Sequence, residues 1–299
     1  MNLKPFIGEI EKQKLNVEGV IVFEQGREVA GHRWAHEQRR NVFSVSKSFA
    51  SIAVGMAIDE GKLSLGDKVL QFLSRDALPL KARSDPLQKS RWEALTLEHL
   101  LTMNMGHPEF SRPRSVEEAL SYELTRDPGS FFFYDNTCTF LASAMLTKAS
   151  GLKVRDYLMD KLFRPLGIDN PLWPESDDGH TIGATGLELT TSEMALFGQF
   201  LLQRGTWEGK QLVSASWIDG ATRTQVSTRP EQKWNDYDLG YGYQFWTCRY
   251  GAYRCDGRDG QFIIVIPAPE AVVAINSNEE RMARILYAVW DHILPELKG

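Results

Sequence analysis

The chain is poor in cysteine. It has three among 299 residues, Cys138, Cys248 and Cys255. So few, and an odd number, exclude a disulfide framework. There is no Cys-x-x-Cys pair and no His-Glu-x-x-His helix, so the local patterns that build zinc sites are missing. His32 and His36 stand four apart, but they flank Trp34 in a stretch that reads as a strand, and a surface pair is expected there. Basic residues are not in excess either. Lys and Arg number 34 against 39 Asp and Glu, a net charge of −5, which gives no broad basic face for nucleic acid. Long apolar runs are absent. The stretch Asn41 to Ile58 is nearly uncharged, but it holds Lys47 and four serines, and it is too short and too polar to span a bilayer. The opening MNLKPFIGEIEKQ lacks the apolar segment of a signal peptide. The expectation is a cytoplasmic protein that binds neither nucleic acid nor membrane.

The remaining composition, 42% hydrophobic and 24% charged, is that of a globular protein. The length suggests about two domains, and it suffices to bury roughly three quarters of the unfolded surface. Strand signals open the chain: Gly19–Phe23, a turn at Gln25-Gly26, then Val29–Trp34. Ser44–Glu60 reads as a helix apolar nearly all round, ended by Gly61, and such a helix belongs in the centre of a protein. Helices and loops follow to about His180. A capping box is expected at Ser115–Glu118, helices at Asn136–Ser150 and Lys153–Arg164, and a second capping box at Thr190–Glu193 opening a helix to Arg204. Strand signals return at Tyr241–Thr247, Ala252–Cys255, Phe262–Ile266 and Ala271–Asn276. The chain closes with Met282, Ile285, Leu286, Val289 and Ile293 on one helical face. The expected fold class is therefore α+β. One antiparallel sheet, built from both ends of the chain (residues 1–65 and 181–299), is flanked by helices, with a helical domain (66–180) inserted.

Three segments could carry chemistry. In Phe43-Ser44-Val45-Ser46-Lys47, Lys47 is the only charge between Asn41 and Ile58. Ser44 stands at the helix start and Lys47 one turn later on the same face. Burial and the positive end of the helix both disfavour an ammonium there, and a neutral lysine beside a serine can activate it as a nucleophile. The bare string is weak evidence, because Ser150-Gly151-Leu152-Lys153 repeats it in what reads as a solvated linker. Tyr134-Asp135-Asn136 is the second segment. Tyr134 can serve as base or proton shuttle and Asn136 can hold Lys47 or a substrate carbonyl; the plain alternative is a core tyrosine with Asn136 as an N-cap. The third is Gly257-Arg258-Asp259-Gly260-Gln261, entering a strand. A glycine there admits a ligand backbone, and a simple turn at Asp256-Gly257 is the alternative.

Taken together and in this order, the three segments resemble the serine β-lactamase and penicillin-binding-protein family, most like class C β-lactamases and their esterase and peptidase relatives. Ser44-Val45-Ser46-Lys47 is similar to the S-x-x-K motif and Tyr134-Asp135-Asn136 to Y-x-N. Arg258-Asp259-Gly260 falls where the family carries K-T-G or a His-containing counterpart. The resemblance covers nearly the whole chain. It implies acyl transfer: Ser44 as nucleophile, Lys47 and Tyr134 sharing the proton work, and Asn136 orienting a substrate carbonyl. The amides of Ser44 and Gln261 would bind the oxyanion, and no metal or organic cofactor is implied. Arg258 and Asp259 depart from the pattern. On a strand they would point to opposite faces; the resemblance implies that Arg258 points toward Tyr134 and Asn136, which leaves Asp259 toward the mouth, where it would disfavour anionic β-lactams. The leading expectation is an esterase or amidase of a small molecule. A peptidase on D-amino-acid peptides or a weak β-lactamase is the second reading, and a non-catalytic scaffold the third. Nothing in the sequence fixes the oligomeric state.

Overall fold

The computed structural model describes residues 1–74, 78–228 and 236–298. Its centre is a six-stranded antiparallel sheet made from both ends of the chain. The strands are β1 (Val17–Glu24), β2 (Arg27–Arg33), β3 (Trp246–Thr247), β4 (Tyr253–Gly257), β5 (Gln261–Ile266) and β6 (Ala271–Ser277). Their spatial order is β2-β1-β6-β5-β4-β3. The β1–β2 hairpin turns on Gln25 and Gly26, both at positive φ (51° and 77°), as a tight two-residue turn requires.

Strands β5 and β6 are apolar at almost every position because both faces of the sheet are covered. Phe262, Ile264 and Ile266 join a core with Phe6, Ile10, Ile285, Val289 and Trp290 from helices α1 (Lys4–Gln13) and the C-terminal segment. Ile263 and Val265 join the other core, with Phe49, Phe197 and Phe200. That second layer holds α2 (Ser46–Asp59), α3 (Asn136–Ser150) and α4 (Thr191–Leu202). Every residue of α2 from Ser46 to Ala57 is buried, so this helix is central, as its all-round apolar sequence requires. The elements from Val69 to Phe163 are helices, and the apolar core continues from them to the sheet without a break.

Local signals were met with small adjustments. Helix α3 spans the expected residues, but its N-cap is Asp135, which accepts the Thr137 N–H, not Asn136. The Thr190–Glu193 box is reciprocal. At Ser115 the hydroxyl caps Glu118, while the Glu118 carboxylate turns back to the Arg114 amide instead. The expected helix over Lys153–Arg164 is α-helical only over Val154–Leu158 and then widens into a π turn, Met159–Phe163. The strand expected over Tyr241–Thr247 shrinks to Trp246–Thr247, because Gln244 bends the chain through a positive φ of 69°.

Candidate active site

Ser44 lies just ahead of α2, in the single 3-10 turn Phe43–Val45. A hydrogen bond and a backbone conformation shape the bend. The Phe43 N–H donates to Asn41 Oδ1 at 2.8 Å, and Phe43 itself adopts the left-handed region at φ 48°, an unusual conformation for a bulky residue. The result is a partly exposed serine at the head of a buried helix. The strand β4 runs beside this turn. A Cβ on Gly257 would stand 2.3 Å from the Val42 carbonyl oxygen, so only glycine allows that approach.

Lys47 follows one turn later and is 1% exposed. Its Nζ donates to Ser44 Oγ at 3.1 Å, Asn136 Oδ1 at 2.6 Å and the Ala184 carbonyl at 2.8 Å. Burial lowers its pKa to about 7, against the pull of nearby Asp135. An ammonium cannot accept a hydrogen bond, so Asn136 presents its oxygen to Lys47 and its amide NH2 is turned elsewhere. Tyr134 packs against the same amine, with Nζ 5.0 Å from its ring centre. Burial pushes its phenol well above the ordinary tyrosine value, and its contacts with Ser44 and Trp246 offset only part of that. Asp135 is fully buried and accepts two backbone amides, Ser111 at 2.7 Å and Thr137 at 3.1 Å.

The structure thus brings Ser44, Lys47, Tyr134 and Asn136 together. It does not place Arg258 and Asp259 as a strand alternation would. Gly257 pairs with Gln261 across the hairpin, so Arg258–Gly260 form the connecting loop, with Asp259 and Gly260 at φ 62° and 84°. Three residues in a turn separate the two strands, so Arg258 and Asp259 do not alternate across the sheet. Arg258 lies over the Phe43 ring at 4.5 Å, not against Tyr134. Asp259 pairs with it at 3.4 Å. Gly260 packs on Ser277, and the Gln261 carboxamide donates to the Ser277 carbonyl inside the sheet. The segment alongside Ser44 is the strand Cys255–Gly257, which the sequence alternative of an Asp256-Gly257 turn also missed.

Two further groups went unseen in the sequence. Arg254 is fully buried and pairs with Asp256 at 2.7 Å. Its guanidinium lies 5.6 Å from the Trp246 ring, which in turn packs on Tyr134 at 5.4 Å. A charged pair in an otherwise apolar strand was the available signal. Gln244 is the second. Its buried carboxamide receives Thr139 Oγ1 at 2.5 Å and donates to the Leu101 carbonyl at 2.8 Å, while its own carbonyl accepts from Ser48. It joins α2 to α3 beneath the site. Among the described residues no group of three or more His, Cys, Asp or Glu side chains is placed to hold a metal.

The Ala184 carbonyl owes its place to Gly183. That glycine has φ 69°, and a Cβ on it would meet Ser143 Oγ at 2.0 Å. Gly183→Ala is expected to destabilise the fold by about 1–3 kcal/mol through strain and overpacking. Urea unfolding of the variant against the parent checks this.

Residues 9–294 match the family described as Beta-lactamase. A β-lactamase of Escherichia coli (strain K12) is 25% identical over 178 residues, which covers 54% of this chain and 44% of its own. Lovastatin esterase of Penicillium rubens is 26% identical over 191 residues, 54% of this chain and 46% of its own. The chain therefore spans about half the length of the curated relatives it matches. The octameric penicillin-binding protein homologue from Pyrococcus abyssi superposes with a TM-score of 0.76 at 19% identity, covering 99% of this chain and 78% of that one, which speaks to the fold. The family match runs through every strand and helix that brings Ser44, Lys47, Tyr134 and Asn136 together, and the chain belongs to the Beta-lactamase family, which includes hydrolases.

Proposed function

We propose that the protein is a serine hydrolase that cleaves a small ester or amide through an acyl-enzyme on Ser44. The observation that carries this reading is the buried Lys47 amine 3.1 Å from Ser44 Oγ. Two of its three hydrogen-bond directions are fixed by acceptors that cannot donate back, Asn136 Oδ1 and the Ala184 carbonyl. When Lys47 loses a proton, its two remaining N–H groups keep those partners and its lone pair faces Ser44. A pKa near 7 makes that state accessible at neutral pH.

Neutral Lys47 then takes the Ser44 proton as Oγ attacks the substrate carbonyl. The Ser44 amide at the helix head stabilises the oxyanion. A second backbone donor comes from the strand end beside this turn, where Gly257 is pressed against Val42. Tyr134 remains a phenol, because its pKa is raised, so it acts as a proton donor and not as the first base. It passes its proton to the leaving group and regains one from the Lys47 ammonium. Water, activated by the same amine, releases the acyl group. The names of two relatives, a β-lactamase and an esterase, support acyl transfer from a cyclic amide or an ester without choosing between them.

Labelling with a fluorophosphonate, followed by peptide mapping, tests the reading. Modification at Ser44 supports it, and an unlabelled protein inert to p-nitrophenyl esters, D-amino-acid amides and a chromogenic cephalosporin overturns it in favour of a scaffold. Tyr134→Phe removes one hydroxyl and is expected to lower kcat by about 10²-fold or more with little change in thermal stability. A turnover unchanged in that variant would remove Tyr134 from the proton path.

A further inference from the structure

The two central helices are buried over Ser46–Ala57 in α2 and Asn136–Leu146 in α3, yet both carry polar side chains there. On α3, Asn136, Thr139 and Ser143 recur at helical spacing along one face. Asn136 accepts from Lys47. Ser143 Oγ donates to the Thr139 carbonyl at 3.0 Å and packs on Gly183, the neighbour of the Ala184 carbonyl that also holds Lys47. Thr139 stands between them, and its hydroxyl goes to Gln244 Oε1.

Gln244 is 3% exposed, so it lies out of reach of a substrate. Its bonds run to three helices. Its backbone carbonyl accepts Ser48 Oγ at 2.8 Å, and Ser48 is the residue after Lys47. Its Nε2 donates to the carbonyls of Leu101 at 2.8 Å and Leu100 at 3.3 Å. Those belong to the last turn of a short helix, Leu97–Leu101, where carbonyls lack partners within the helix. The chain on either side of Gln244 reaches Tyr134. Tyr241 meets that ring edge-on at 5.9 Å and Trp246 packs on it at 5.4 Å. Gln244 also holds a positive φ of 69°. A residue with a side chain keeps such a conformation only where its surroundings over-determine it.

The Lys47–Asn136 bond is a single tie between α2 and α3, and a single tie leaves two helices free to rotate or slide. One turn deeper, about 4.5 Å along the α3 axis, the path Ser48–Gln244–Thr139 supplies a second tie. Two ties at different heights fix both separation and rotation. An apolar side chain would fill the same space without setting that register, whereas a satisfied buried carboxamide is directional. We propose that Gln244 is a positioning residue for the reaction: it sets α2 against α3 so that Lys47, Ser44 and Asn136 keep the geometry of proton transfer, and it seats the two rings that hold Tyr134. The inference rests on the serine hydrolase reading.

The test compares Gln244→Met, Thr139→Val, Thr139→Ser and Ile10→Ala with the parent, using p-nitrophenyl butyrate well below the unfolding midpoint of each protein. Thr139→Val deletes one hydroxyl at nearly constant shape and breaks a single arm of the tie. It is expected to lower kcat about tenfold, the scale of a sub-ångström misplacement. KM should stay unchanged, because the same amine serves acylation and release of the acyl group. Gln244→Met should lower kcat further. Thr139→Ser keeps the hydroxyl and is expected to keep the parent kcat. Ile10 lies in the core on the far side of the sheet, so Ile10→Ala should lower the unfolding midpoint and leave kcat alone. If Gln244→Met does not fold, Thr139→Val carries the test. Parental kcat in Thr139→Val overturns the inference. So does an equal loss in Thr139→Ser, a loss seen in KM alone, or a matching fall of kcat in Ile10→Ala, which would mean that rate merely follows stability. Fluorophosphonate labelling keeps the two readings apart. A parent protein not labelled at Ser44 overturns the hydrolase reading, whereas a labelled parent whose Thr139→Val variant reacts equally fast overturns only the role of Gln244.

Discussion

Ser44→Ala is expected to abolish fluorophosphonate labelling and to lower ester hydrolysis by about 10⁴-fold or more, the scale on which loss of a nucleophile acts. The size of the effect follows from the surroundings of this one hydroxyl. It stands at a helix head, beside an amine that burial drives toward neutrality, in a bend held by the left-handed Phe43. The same string at Ser150 has none of this. There the hydroxyl lies at the end of α3 and, among the described residues, bonds to the backbone of Leu152. Its lysine, Lys153, is turned away to Glu175 at 2.6 Å. Ser150→Ala should therefore leave both labelling and rate unchanged. The measurement is mass spectrometry of the labelled peptide together with kcat/KM for the three proteins. Label on any serine other than Ser44, or hydrolysis surviving Ser44→Ala, would defeat the assignment. Thermal unfolding should barely distinguish Ser44→Ala from the parent, because only one partly exposed oxygen is lost.

The contrast between the two strings also shows what a sequence can carry. Ser44 and Lys47 were legible because Lys47 is a lone charge in an apolar helix, and a charge so placed needs partners. The partners themselves were only partly legible. Asn136 stood out at a helix start, whereas the Ala184 carbonyl comes from an irregular segment that no periodicity marks. It is held there by Gly183 and by the Leu187 N–H donating to Ser46 Oγ at 3.1 Å. The sheet was legible from β-branched runs at both ends of the chain, and its burial on both faces explains why those runs do not alternate. The third segment misled for a physical reason. Arg-Asp-Gly is compatible with a strand or a turn, and the decision is made by Gly257, whose close approach to Val42 ends β4 there. Asp259 then adopts φ 62°, a region aspartate tolerates better than most residues. A pattern of residue types cannot register such a backbone contact between distant segments. The same holds for Gln244, whose bonds reach α2, α3 and the helix ending at Leu101.

The pH dependence of the enzyme should report Lys47 directly. With its pKa at about 7, kcat/KM for a neutral ester is expected to rise with pH along a single limb centred near 7, as the amine becomes a base. Tyr134 should add no limb below about pH 10, because its phenol is shifted upward from there. Lys47→Arg holds the charge through the whole range, so the rate should fall by about 10²–10⁴-fold and the limb should disappear. Stability must follow the same titration with a fixed sign. In the unfolded chain Lys47 keeps its proton up to about 10.5, and in the folded protein it loses it near 7. Between those values the unfolded state binds more protons, so stability rises with pH across that window. Below pH 7 both states are protonated and the burial penalty on the ammonium is at its full size. Lys47→Met removes this titration. The difference in unfolding free energy, parent minus Lys47→Met, should therefore shift toward the parent by a few kcal/mol between pH 7 and 10. Urea unfolding of both proteins at several pH values gives that difference. A flat difference combined with a rate limb near 7 would mean that another group titrates in catalysis. A flat difference with no limb would mean that Lys47 stays charged, and the base would then have to be sought elsewhere.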